Sequence, residues 1–221
     1  MFVHIPKTAG TAVREALFRA RPGVANLCDY GPDSPITSPL VNALRYAPGG
    51  ELRRLCAALA KAPAFTLCGH IKAKPFGRAF GPSTLMTVLR DPVQRVASNY
   101  RHYLRRGQFA GSLEAFARQP EIRNVQARYT RPFALADWLF VARQDRLDAD
   151  MAALSDMLGV RVALERVNVD PDGAAQIGAD ERRLIESLNA EDLELFESCQ
   201  SLGVRSGKPW RGPAAGVVSP A

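Results

Sequence analysis

Residues 84–89, TLMTVL, form an unbroken apolar run with β-branched members, closed on one side by Pro82 and on the other by Arg90-Asp91-Pro92. A run of this length without polar alternation predicts a strand buried on both faces, and such strands belong to parallel sheets covered by helices on each side. The next segment supports the same reading. Asp91 is placed to cap a helix that has Pro92 at its first position, where a missing N–H costs nothing, and the helical pattern continues to about residue 106.

The start of the chain repeats this arrangement. Residues 1–5 are a short apolar run ended by Pro6, then comes KTAGT, and residues 12–21 carry Val13, Leu17 and Phe18 at helical spacing. Residues 22–50 are rich in Pro and Gly and read as mostly loop with room for one short helix, an insertion suited to face a substrate. A helix is predicted over 51–61 and a strand over 64–68 that runs into Gly69 and His70; from there to Pro82 the chain reads as a Gly- and Pro-rich segment. Further helices are expected at 112–118, 121–129, 147–158, 181–188 and 190–202, with short strands near 138–142 and 161–164. The alternation predicts an α/β fold, a single domain over 1–206 with a central parallel sheet flanked by helices and a P-loop-like phosphate-binding loop after the first strand. The remainder, 207–221, reads as a flexible tail.

In such sheets ligands bind at the carboxyl ends of the strands, and three chemically suggestive segments lie there: Lys7 to Thr11, Gly69 with His70, and Arg90 to Ser98. The first offers backbone N–H groups at a helix start, a close-approach glycine, a lysine and two hydroxyls, which together suit an anion. It is not a Walker A loop, because Lys7 precedes Gly10 rather than following a second glycine. A plain strand-to-helix connection has the same residue types. In the third segment, Arg90 at a strand end and Ser98 two turns into the next helix are spaced to reach one phosphate; a local Arg90–Asp91 ion pair with Ser98 as a packing residue is the bland alternative.

Composition narrows the ligand without choosing it. The 29 Lys and Arg against 22 Asp and Glu give a net charge of +7, which favours an anionic ligand or partner by electrostatic steering. No recognition-helix or base-stacking motif accompanies the charge, so nucleic acid is not the expected partner. Cys28, Cys56, Cys68 and Cys199 are widely spaced and no metal-ligand pattern surrounds them, so no metal is expected. Without a disulfide framework, a signal-peptide pattern at MFVHIP or an apolar stretch long enough to span a bilayer, a cytoplasmic protein is the expectation.

Taken together, HIPKTAGTA, the GH at residues 69–70 and LRDPVQRVASNYRHY resemble the carbohydrate sulfotransferases that use 3′-phosphoadenosine 5′-phosphosulfate (PAPS), in particular the group containing the heparan sulfate 2-O-sulfotransferases and their bacterial relatives. The similarity is concentrated in residues 1–11 and 68–103, with weaker echoes in NVQARY (124–129) and in 140–159. The resemblance implies that Lys7, Thr8, Ala9, Gly10 and Thr11 wrap the 5′-phosphosulfate, that Arg90 and Ser98 hold the 3′-phosphate, and that PAP is the product.

For transfer to a hydroxyl, His70 is the candidate base, since imidazole accepts a proton near neutral pH, and Lys7 would stabilise charge on the bridging oxygen. His4, inside the first strand, reads as packed or hydrogen-bonded, and His102 as exposed. Arg95, Arg101, Arg105 and Arg106 read as one basic helix face, and Lys72, Lys74 and Arg78 as either acceptor contacts or a solvated loop.

The chain also departs from the family pattern. Ala12 stands where a hydroxyl residue is frequent, and the GH region holds one histidine where the heparan enzymes carry two. The implied acceptor is a carbohydrate or glycoconjugate of open identity, with peripheral membrane contact if it is a glycolipid. A nucleotide-dependent kinase and a non-catalytic nucleotide- or glycan-binding protein are the competing readings, and nothing in the sequence speaks to oligomeric state.

Overall fold

The computed structural model describes residues 1–165 and 177–201. Five strands form one wholly parallel sheet in the order β2-β3-β1-β4-β5. They are β1 (Phe2–Val3), β2 (Ala25–Asp29), β3 (Phe65–Gly69), β4 (Met86–Leu89) and β5 (Phe140–Arg143). The register is continuous across the centre, with Phe2 opposite both Cys68 and Met86, and Val3 opposite Gly69 and Thr87.

Alternate residues of each strand feed two different cores, which is why the central strands read as solid apolar runs. Val3, Ile5, Leu67 and Leu89 point to the layer built from α2 (Pro39–Val41), α3 (Leu52–Lys61), α4 (Ala73–Phe80), α7 (Val125–Thr130) and α10 (Ala190–Ser201). Phe2, Cys68, Met86, Val88 and Ala142 point the other way, against α1 (Gly10–Ala20) and α8 (Leu147–Leu158). A third apolar cluster joins α5 (Pro92–Arg105) to α6 (Leu113–Ala117) and α9 (Ala179–Leu188) through Val93, Val96, Phe116 and Ile185.

Several expectations need correction. The segment 22–50 contains β2, an edge strand whose first four residues are partly exposed, so its apolar signal is weak; a π-helical turn over Asn42–Tyr46 continues α2. Helix α4 falls where Pro75 and Gly77 suggested loop. Pro75 lies in the first turn, where its missing N–H does no harm, and Gly77 is required because a Cβ there would sit 2.2 Å from the Phe133 ring.

The expected helix 121–129 is broken at Asn124, whose φ of 47° separates a 3₁₀ turn (Pro120–Ile122) from α7. Residues 161–164 are not a strand: Val162 is buried between α1 and α8, and its N–H is donated to the Ser155 hydroxyl instead of a neighbouring strand. The end of the last helix at residue 202 and the boundary at 206 with its tail lie outside the described residues.

The order of the strands fixes where a ligand can enter. From β1 the chain moves to β2 at one edge, and from β4 it moves to β5 at the other. Because β1 and β4 are neighbours, their outgoing connections part, which is where open α/β sheets leave a crevice at the strands' carboxyl ends. Lys7 follows one of these strands and Arg90 the other.

Candidate functional site

The connection from β1 to α1 is conformationally unusual. Lys7 and Ala9 have φ of 71° and 69°, the left-handed region that costs non-glycine residues of order 1–3 kcal/mol each and collects at binding sites. Ala9 occupies the cap position of α1 without a side-chain cap, so the amides of the first turn depend on something else for satisfaction, and the positive end of the helix dipole lies at the crevice.

The other loop residues hold this shape. The Thr8 hydroxyl is fully buried and donates to the Ile5 carbonyl at 3.0 Å, so it braces the loop from within and does not add a second outward hydroxyl. Gly10 is also required by packing, apart from any approach of a phosphate: a Cβ there would lie 2.0 Å from the His4 ring, which rests on its backbone. Thr11 is half-buried at the start of α1.

Arg90 comes to the same loop from β4, its guanidinium Nη1 donating to the Lys7 carbonyl at 3.2 Å. Asp91 caps α5, accepting from the Gln94 N–H at 2.8 Å with Pro92 in the first turn, as the sequence predicts. Ser98 is buried two turns along the same helix. Thus Lys7, the helix start at Gly10 and Thr11, and Arg90 are brought together, across a sequence separation of 83 residues between Lys7 and Arg90.

His70 follows β3 on the other side of β1. The preceding Gly69 is a steric necessity, since a Cβ would lie 1.9 Å from the Asp29 carbonyl oxygen where β2 and β3 run side by side. The exposed His70 imidazole stands edge-on to two rings, His4 at 5.0 Å and Tyr30 at 4.7 Å between centroids. Although part of the residue reaches solvent, the rings packed against the imidazole desolvate it and lower its pKa from the ordinary 6.5, so it is neutral at pH 7.

Behind it lies a polar chain. Arg14 donates to the Tyr30 oxygen at 3.4 Å, and that oxygen lies 2.6 Å from His4 Nδ1. Tyr30 is held as the phenol, its pKa pushed up to about 12 mainly by burial. His4 is drawn down to about 3, by desolvation first and then by His70, Arg14 and Lys7, and stays neutral. His4 is therefore hydrogen-bonded and packed, as expected.

Two expectations about basic residues change. Arg95 leaves the predicted basic face entirely: it is 0% exposed, donates to the Ile122 carbonyl at 2.7 Å and lies 3.8 Å from buried Asp192. Its pKa is lowered to about 10, principally by burial. His102 is half-buried instead of exposed; its pKa is lowered by desolvation first, then by Lys7, Arg106 and Arg105. Lys72, Lys74 and Arg78 are solvent-exposed on and beside α4.

Sequence reasoning missed Arg14, Tyr30 and Gln126. Tyr30 sits in the Pro- and Gly-rich stretch with no local signal, and Arg14 reads as one more helix-surface cation. Gln126 lay within the NVQARY echo, which was the available clue. Among the described residues no group of three His, Cys, Asp or Glu side chains is arranged to hold a metal ion, and no helix is long and apolar enough to cross a membrane. No protein-family model matches the chain, and no curated protein matches it.

Proposed function

We propose that this chain is a sulfotransferase that moves a sulfuryl group from PAPS to a hydroxyl of a carbohydrate or glycoconjugate. The observation that carries the reading is the junction of Arg90 with the Lys7 loop. Two segments with the residue types for opposite ends of a nucleotide bearing 5′- and 3′-phosphates meet at the carboxyl ends of β1 and β4, where the strand order reverses.

In this reading the amides of Gly10 and Thr11 and the Lys7 ammonium surround the 5′-phosphosulfate, and Arg90 with Ser98 binds the 3′-phosphate. Binding the distant phosphate positions the reacting group without touching it. His70 takes the proton from the acceptor hydroxyl as its oxygen attacks sulfur; the sulfur–oxygen bond to the 5′-phosphate breaks, and Lys7 stabilises the negative charge that remains on that oxygen. His4 and Tyr30 fix the wall against which the His70 ring stands, and the Arg14 bond keeps that wall rigid. The insertion carrying β2 leaves Ile36 and Leu40 exposed, 47% and 48%, and it is the natural place for acceptor contacts.

Calorimetry with PAP tests the donor assignment. Binding is expected with no added Mg²⁺ and in preference to ATP. Equal affinity for ATP, or binding only with the divalent ion, points to the kinase reading instead.

A further inference from the structure

Gln126 is 0% exposed and uses both ends of its amide on a single residue. Its Oε1 accepts from the Arg90 N–H at 2.9 Å, and its Nε2 donates to the Arg90 carbonyl at 2.8 Å. The ladder between β4 and β5 ends one residue earlier, at Leu89 opposite Arg143. The glutamine side chain thus does for Arg90 what a further strand residue would do, holding its backbone beyond the last backbone pair.

Gln126 is itself anchored. Its N–H and that of Ala127 donate to the two carboxylate oxygens of Asp192 at 3.1 and 2.8 Å. Asp192 is buried beside Arg95 of α5, and the Asn124 N–H donates to the Asn189 side chain at 2.9 Å, tying α7 to the start of α10. A polar network from three helices, with almost no exposure, converges on the backbone of one arginine at the crevice. A mobile chain segment would lose backbone freedom on gripping a phosphate; the double bond from Gln126 sets the Arg90 backbone beforehand, so that the side chain starts from one fixed point and only its own rotamer freedom is left to lose.

We infer that Gln126 is a positioning residue for the 3′-phosphate subsite, so that the selectivity of this chain for 3′-phosphorylated over unphosphorylated nucleotides depends on its double hydrogen bond to Arg90. This rests on the proposed use of PAPS.

The test compares affinities of the full chain for PAP and for adenosine 5′-monophosphate, which differ only in the 3′-phosphate. Gln126→Met preserves volume and removes both bonds; Gln126→Glu keeps an acceptor for the Arg90 N–H. A partly unfolded population weakens both ligands by the same factor, so the ratio of the two dissociation constants is insensitive to lost stability. The wild-type chain is expected to prefer PAP, with Gln126→Met lowering that preference by about tenfold and Gln126→Glu falling between the two. An unchanged ratio in Gln126→Met, with both ligands weakened alike, overturns the positioning role. No preference for PAP in the wild type removes the PAPS reading and this inference with it, and is distinguishable because it appears before any substitution is made.

Discussion

Replacing His70 with alanine is expected to lower sulfuryl transfer by about 10²–10⁴-fold, the usual contribution of a positioned general base, while PAP affinity stays close to that of the wild type. The separation follows from geometry. His70 stands after β3 and contacts His4 and Tyr30, whereas the residues assigned to the nucleotide follow β1 and β4. Transfer of label from PAPS to cell-envelope glycan extracts gives the rate, and calorimetry gives the affinity.

In the proposed role His70 acts unprotonated, and desolvation lowers its pKa, so the rate should hold as pH falls to the ordinary imidazole value of 6.5 and decline only below it. A His70→Ala chain that turns over at nearly the wild-type rate would transfer the role of base to another group.

Arg90→Ala should weaken PAP binding by about 1.5–3 kcal/mol through loss of charge-assisted hydrogen bonds, which is roughly tenfold to more than a hundredfold in the dissociation constant. Arg90→Lys should recover only part of this, since an ammonium cannot reproduce the planar fork. The substitution also removes the bond to the Lys7 carbonyl, so the 5′ loop loses a brace at the same time. An Arg90→Ala chain that binds PAP as the wild type does would exclude the arginine from the nucleotide site.

The parts of this site that were readable in the sequence are those whose signals are local. The β4–Arg90–α5 junction is written within about fifteen residues as an apolar run, a capping aspartate and a first-turn proline, and it folds as expected. The loop after β1 was legible in the same way, although packing gives two of its residues reasons that no local pattern shows. Gly10 makes room for His4, and Thr8 turns inward to Ile5.

What was not readable depends on pairs distant in sequence. Tyr30 gains meaning only because β2 lies beside β3, bringing it next to His70, and β2 itself is a half-exposed edge strand without a strong pattern. Arg95 was misassigned for a related reason: helical periodicity places it among other basic residues, while the carboxylate that keeps it buried comes from α10. Position 126 carries an ordinary helical glutamine until β4 places the Arg90 backbone against it.

The crystal structure of the chain with PAP bound tests the two-ended site most directly. The 5′-phosphate is expected within hydrogen-bonding distance of the Gly10 and Thr11 amides and Lys7, and the 3′-phosphate on Arg90 and Ser98. A nucleotide that occupies another part of the surface, or that engages only one of these two segments, would contradict the claim that they form the two ends of one site.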